Sequence, residues 1–150
     1  MQQLKQLVQK APFTLLQTKD RDKALKTLVD SLLDKGSVIN AKQFYTALLE
    51  RESLISTGIG LGIAIPHARI ESDCKDFFLA IGIHKGKSGI EWGSIDALPV
   101  RIVFLIGGPK DRQGDYLELL ALITTFIKDF EIKEKVLNTS CHQDMMDLFS

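Results

Sequence analysis

The sequence predicts an α/β fold, a single-domain sandwich in which helices flank a mixed β-sheet. Two apolar runs of strand length stand in the middle of the chain, and amphipathic helical patterns lie on both sides of them. Helices and strands alternate irregularly, which favours a mixed sheet. No Pro/Gly/Ser-rich linker and no internal repeat divides the 150 residues, so one domain over 1–150 is expected.

Two amphipathic helices are predicted in the first third of the chain. From Arg21 to Leu33 the apolar residues recur at helical spacing, and Gly36 stands where such a helix would end. Asn40 is of a residue type that caps helices, and a second helix is predicted over 41–51. Arg51, near the carboxyl end of that helix, complements its dipole.

The predicted strands follow these helices. A short apolar strand, GIAI at 62–65, is expected to stop at Pro66, which places His67 at a strand end. Buried strands are predicted over 76–84 and 100–108, with a loop or small hairpin between them.

The carboxyl-terminal part of the chain is predicted to be helical. One helix is predicted over 114–130, and two shorter ones over 132–138 and 142–149.

Composition excludes several classes of protein. Lys plus Arg equals Asp plus Glu, 19 each, so the chain has no overall charge for binding nucleic acid or an anionic membrane. Cys74 and Cys141 stand apart, as expected of free thiols in a reduced intracellular protein. The polar amino terminus does not resemble a secretory signal, and no window contains eighteen consecutive apolar residues. We therefore expect a cytoplasmic protein without a membrane segment.

The common cofactor motifs are also missing. Gly58, Gly60 and Gly62 suggest a dinucleotide fingerprint, but that motif needs glycine where this chain has Ile63. No GK[ST] follows the glycines, so a P-loop is excluded as well. We expect no cofactor, and structural glycines are the favoured interpretation.

The three histidines do not form a metal motif. His67, His84 and His142 are widely spaced and lack an HxH or HExxH pattern. His84 and His142 carry no further signal, and a lone histidine is more often structural than reactive.

His67 differs in its neighbours. Pro66 locks its own φ near −65°, and Ala68 adds no bulk, so the imidazole is expected on a rigid and open support. No GxSxG element accompanies it, so the histidine itself is the candidate nucleophile. A neutral imidazole has a free lone pair at pH 7, and its attack needs no strong base. A small hydrolase that uses His67 as a base is a distant alternative.

The stretch TGIGLGIAIPHA, residues 57–68, resembles the signature of type 2 IIA components of the bacterial phosphoenolpyruvate-dependent phosphotransferase system. This family includes the fructose, mannitol and nitrogen-regulatory IIA proteins. LLERESLISTGIGLGIAIPHARI, LPVRIVFLIGGP and YLELLALITTFIKD resemble family blocks in the expected order. The resemblance implies that His67 accepts a phosphoryl group, on Nε2, from a phosphocarrier protein of the HPr type.

The bound phosphoryl group would carry close to two negative charges and needs prearranged donors. Arg51 matches the arginine of the family's RE element, and its guanidinium suits phosphate oxygens. Ser56 and Thr57 are candidate donors, although local turn capping explains them nearly as well. Tyr116 stands where many family members carry a second histidine; a phenol donates one hydrogen bond but stays neutral.

The resemblance leaves the physiological role open. A chain that runs from Met1 to Ser150 with no IIB or membrane segment favours a nitrogen-regulatory type, which acts on regulatory target proteins. The first alternative is a fructose- or mannitol-like IIA that donates to a IIB cysteine. The second, motivated by Tyr116, is a regulatory protein-binding domain with impaired phosphotransfer.

Overall fold

The computed structural model describes residues 1–70 and 74–149. Within them, helices lie on both sides of one β-sheet, which confirms the predicted α/β class. The elements in chain order are α1 (Gln2–Lys10), β1 (Phe13–Leu16), α2 (Arg21–Asp34), α3 (Ala41–Leu54), β2 (Gly58–Gly60), β3 (Ile63–Ala64), β4 (His67–Ile70), β5 (Phe78–His84), β6 (Ile102–Pro109), α4 (Gln113–Lys128), α5 (Phe130–Leu137) and α6 (His142–Asp147).

The sheet is mixed, as predicted. Its strand order is β1-β5-β6-β3-β2, and β4 also pairs with β6. The β1–β5, β3–β6 and β4–β6 pairs are parallel, whereas the β5–β6 and β2–β3 pairs are antiparallel. Strand β6 therefore pairs with three strands, β3, β4 and β5.

Two hydrophobic cores cover the two faces of the sheet. Successive side chains of a strand point to opposite faces, so Phe104 packs with α1, α4, α5 and α6, and Leu105 packs with α2 and α3. Every residue of β5 and β6 is buried. Burial on both faces explains why these strands read as continuous apolar runs.

Strands β3 and β4 form one interrupted strand along β6. Ile63 pairs with Ile102 and His67 with Ile106, so the register is the same on both sides of the interruption. Pro66 has no N–H for the ladder, but its carbonyl accepts from Ile106 N at 2.9 Å. The predicted stop at Pro66 holds for β3 only, because pairing resumes at His67, which is the first residue of β4.

The helix signals are confirmed for α2 and α3. Gly36, just past α2, has a φ of +78°, and the Asn40 side chain accepts from Gln43 N at 3.0 Å. The helix predicted over 114–130 was too long, because α4 ends at Lys128 and the Asp129 side chain caps α5. Helix α1 and strand β1 were not predicted.

Among the described residues, no helix combines the length and the apolar character that crossing a bilayer requires.

Candidate active site around His67

The glycines before His67 build a tight turn between β2 and β3. Gly60, Leu61 and Gly62 have φ angles of +94°, +61° and +78°, a region that favours glycine. The Asp96 carboxylate accepts from Leu61 N at 2.9 Å and holds the strained residue in place. The turn lets β3 lie between β2 and β6, and it directs the chain toward His67.

His67 lies half-buried at the start of β4, with one ring nitrogen fixed. Its Nδ1 is 2.8 Å from the backbone oxygen of Ile65. A carbonyl oxygen only accepts hydrogen bonds, so Nδ1 carries the hydrogen in this contact. The lone pair of the neutral ring is therefore on Nε2.

The surroundings favour the neutral form of this ring. Burial lowers the pKa of His67 below its usual range, and the positive charges of Arg51 and Arg69 lower it further. The Ile65 carbonyl and the Glu52 carboxylate act in the opposite direction, but the net change in pKa is downward. At neutral pH His67 is uncharged and able to act as a nucleophile.

Arg51 lies in the last turn of α3, as predicted. Its Nη1 donates to the backbone oxygen of Ile55 at 2.6 Å, where the helix ends. This bond fixes one side of the guanidinium, and the charge still lowers the pKa of His67. Arg51 thus closes the helix end and acts electrostatically on the histidine.

Ser56 and Thr57 make different contacts. The Thr57 side chain is only 3% exposed, and its hydroxyl donates to the Glu52 carboxylate. The same oxygen accepts from Trp92 Nε1 at 3.3 Å, and Thr57 N also donates to Glu52. Ser56 Oγ accepts from Gly58 N at 3.0 Å and is partly exposed. The hydroxyl hydrogen of Thr57 is therefore already engaged in holding the segment after α3.

Tyr116 is brought directly against His67 by the first turns of α4. The two ring centroids are 5.9 Å apart in an edge-to-face arrangement. Tyr116 is 5% exposed, and its hydroxyl has no hydrogen-bond partner among the described residues. Burial raises the pKa of the phenol, so the group stays protonated and able to donate.

Arg69 completes this group of side chains and was missed in the sequence analysis. Its Cζ lies 5.4 Å from the centroid of the Tyr116 ring. The available signal was its spacing: residues i and i+2 of a strand point to the same face, and Arg69 follows His67 by two. The signal went unused because no strand was predicted beyond Pro66.

Comparison with known proteins identifies the family of this chain. Residues 6–150 match the family model described as "Phosphoenolpyruvate-dependent sugar phosphotransferase system, EIIA 2". The chain belongs to this family. The resemblance carried by residues 57–68 is thereby confirmed, and the EIIA 2 family contains both sugar-specific and nitrogen-regulatory members.

Individual EIIA 2 relatives represent both kinds of member. The fructose-specific EIIABC component of Bacillus subtilis is 32% identical over 136 residues, which are 90% of this chain and 21% of that protein. The chain thus spans about a fifth of the Bacillus relative. A nitrogen regulatory protein of Bradyrhizobium diazoefficiens is 34% identical over 97 residues, 65% of this chain and 61% of that protein.

The fold of a solved family structure is close to that of this chain. The nitrogen regulatory protein IIA-Ntr of Neisseria meningitidis matches with a TM-score of 0.86, covering 99% of each chain at 20% identity. The EIIA 2 fold is therefore present over nearly the whole length.

Proposed function

We propose that residues 1–150 form a phosphoryl carrier domain that accepts a phosphoryl group on Nε2 of His67 from a phosphocarrier protein of the HPr type. The observation that carries this proposal is the Nδ1 contact with the Ile65 carbonyl, which leaves the Nε2 lone pair available. That lone pair attacks phosphorus and forms an N–P bond. The bond from phosphorus to the donor breaks, and its electron pair remains with the donor.

The charge of the product is the main difficulty for the site. The phosphoryl group brings close to two negative charges, and a guanidinium about 4 Å away would stabilise each unit of that charge by roughly 4 kcal/mol at an effective dielectric constant of about 20. Arg51 supplies that charge from the end of α3. Tyr116, whose hydroxyl has no partner among the described residues, donates one hydrogen bond, and Ser56 donates a second.

Thr57 has an indirect role in this proposal. Its contacts with Glu52 and Trp92 hold the segment between Arg51 and the glycine turn. Thr57 therefore positions the phosphoryl-binding residues without contacting the phosphate.

The direct test is phosphorylation in a reconstituted system. Incubation with enzyme I, an HPr-type carrier and phosphoenolpyruvate is expected to add one acid-labile phosphate, measured by intact mass. His67→Ala abolishes the addition. His142→Ala is the matched control, since its Nε2 is engaged with Val8 O between α1 and α6, and it retains the addition. Absence of added mass on the wild-type protein refutes the proposal.

For the acceptor, we propose the nitrogen-regulatory role, in which the phosphorylation state controls target proteins. The 34% identity with the Bradyrhizobium nitrogen regulatory protein supports it, and the 32% identity with the Bacillus fructose component supports the sugar-specific alternative. Incubation of the phosphorylated protein with the IIB domain of a fructose permease separates the two. Rapid transfer to the IIB cysteine would favour the sugar-specific role.

A second candidate, a protein-binding domain with impaired phosphotransfer, rests on Tyr116. Its phenol cannot supply a positive charge, and burial moves its pKa further from neutrality. A large gain in transfer rate in Tyr116→His would favour this candidate. An unchanged rate would mean that Tyr116 serves phosphotransfer adequately.

A further inference from the structure

Arg69 and His67 share one face of β4 and one aromatic neighbour. The two residues are separated by two positions along the strand, roughly 6.6 Å of rise, and their side chains project to the same side. The Tyr116 ring lies 5.9 Å from the His67 ring and 5.4 Å from Arg69 Cζ, measured to its centroid. The phenol ring is thus a neighbour shared by the imidazole and the guanidinium.

The guanidinium of Arg69 is held in two ways. Its Cζ lies over the Tyr116 ring, 5.4 Å from the centroid, within the range of a cation–π contact. Its Nη1 also donates to the backbone oxygen of Lys110 at 3.3 Å, just beyond the end of β6. A guanidinium has five N–H donors, so this single bond does not exhaust its capacity for an anion.

Resting on the proposed function, we infer that Arg69 is a second phosphoryl-binding cation, which contacts the oxygens of a phosphoryl group on Nε2 of His67 and is oriented by the Tyr116 ring. Arg51 belongs to the last turn of α3 and Arg69 to β4. In this proposal the two guanidinium groups bind the same phosphoryl group from different elements. With Tyr116 neutral, this pair of arginines supplies the positive charge of the site.

The electrostatics of the unphosphorylated site agree with this geometry. The positive charges of Arg51 and Arg69 both act on His67 and on Tyr116, lowering the pKa of each, while burial remains the larger effect on both groups. The charge of Arg69 therefore reaches the position where the phosphoryl group would be held.

The test compares Arg69→Gln and Arg69→Lys with the wild type in two measurements. The first is the single-turnover rate of transfer from the phosphorylated HPr-type carrier, which is expected to fall about 10²-fold in Arg69→Gln, as for other oriented donors to a developing oxyanion. Arg69→Lys keeps the charge without the planar fork and is expected to recover part of the rate.

The second measurement separates phosphoryl binding from structural or docking roles. The pKa of the phosphoryl group on the isolated phosphorylated protein is followed by ³¹P NMR, and it is expected to rise in Arg69→Gln because a nearby cation is lost. A residue that only contacts the carrier protein would leave this pKa unchanged. Arg101→Gln is the control, since Arg101 also donates to backbone carbonyls, those of His84 and Lys85, and it should match the wild type.

The outcomes separate the proposed carrier function from the proposed role of Arg69. If the wild-type protein takes no phosphate, the proposed function fails. If the wild type is phosphorylated and Arg69→Gln has the same transfer rate and the same phosphoryl pKa, the role of Arg69 is refuted and the carrier function stands. Should Arg69→Gln not fold, Arg69→Lys decides: a reduced rate with a shifted phosphoryl pKa supports the role, and wild-type values refute it.

Discussion

At the residue scale, substitution of Arg51 can separate the observed role of its guanidinium at the helix end from its proposed role in binding the phosphoryl group. As a helix-end cation it bonds to the Ile55 carbonyl, and a lysine would serve that purpose equally well. In the proposed role as a phosphoryl ligand it would present a planar fork, which lysine lacks. We expect Arg51→Gln to lower the rate of phosphoryl transfer to His67 about 10²–10³-fold, and Arg51→Lys to recover only part of it. Rapid-quench measurement of the transfer rate checks this, and full activity in Arg51→Lys would contradict it.

The ionisation of His67 also makes stability depend on pH. Its pKa is lower in the folded protein than the value of about 6.5 expected in the unfolded chain, chiefly because of burial. Between those two values the unfolded chain binds more protons, so stability falls as the pH drops below about 6.5. The contribution is regained above that pH.

Urea unfolding of the wild type and of His67→Gln at pH 7.5 and pH 5.5 measures this dependence. The free energy of unfolding is expected to decrease on acidification in both proteins, but less in His67→Gln, which lacks the titrating ring. An equal decrease in the two proteins would show that other groups account for it.

Sequence could identify the chemistry of the site better than its geometry. His67 and Arg51 were predicted as site residues because the motif and the helix-end position mark them. Arg69 was not predicted, since its place beside His67 depends on β4 pairing with β6 beyond Pro66. The engagement of Thr57 with Glu52 and Trp92 was also unpredictable, because Trp92 is distant in sequence and joins Thr57 only through the fold.

At the element scale, the close packing of β6 against β5 and α3 can be tested at Gly107. This residue pairs with Ala68 of β4, and an added Cβ would lie 2.5 Å from Phe78 Cε2 and 2.9 Å from Phe44 Cε1. We expect Gly107→Ala to reduce the free energy of unfolding by about 1–3 kcal/mol through overpacking. The control is Gly114→Ala in α4, where an added Cβ would meet nothing within 4 Å. Chemical denaturation measures both, and equal stabilities would contradict the packing described for β6.

Elements with strong hydrophobic patterns could be predicted from the sequence, whereas α1, which has few apolar residues, was not predicted. Strands β5 and β6 are continuous apolar runs, and α2 and α3 carry both spacing and end signals. Helix α1 has a mostly polar sequence in which Leu4 and Val8 alone are fully buried. Its stability depends on tertiary packing, which a local pattern does not report.

At the scale of the whole molecule, two cores share one sheet and should unfold together. Phe104 and Leu28 are fully buried on opposite sides of that sheet. We expect Phe104→Ala to cost about 3–5 kcal/mol and Leu28→Ala about 2–5 kcal/mol. Each variant should still show one cooperative transition, because β5 and β6 belong to both cores. Two separated transitions by circular dichroism and tryptophan fluorescence would contradict this coupling.

The fold class followed from the irregular alternation of helices and strands, whereas the strand order did not. Strand β1 lies beside β5 rather than beside β2 or β3, and β3 and β4 share one side of β6. These pairings join residues far apart in sequence, so no local pattern specifies them.

The central claim, that Nε2 of His67 is the phosphoryl acceptor, is tested most directly by NMR of the phosphorylated protein labelled with ¹⁵N-histidine. The contact between Nδ1 and the Ile65 carbonyl predicts that the phosphorus–nitrogen coupling appears at Nε2 of His67, with Nδ1 still protonated. Coupling at Nδ1, or phosphate on any other residue, would contradict it.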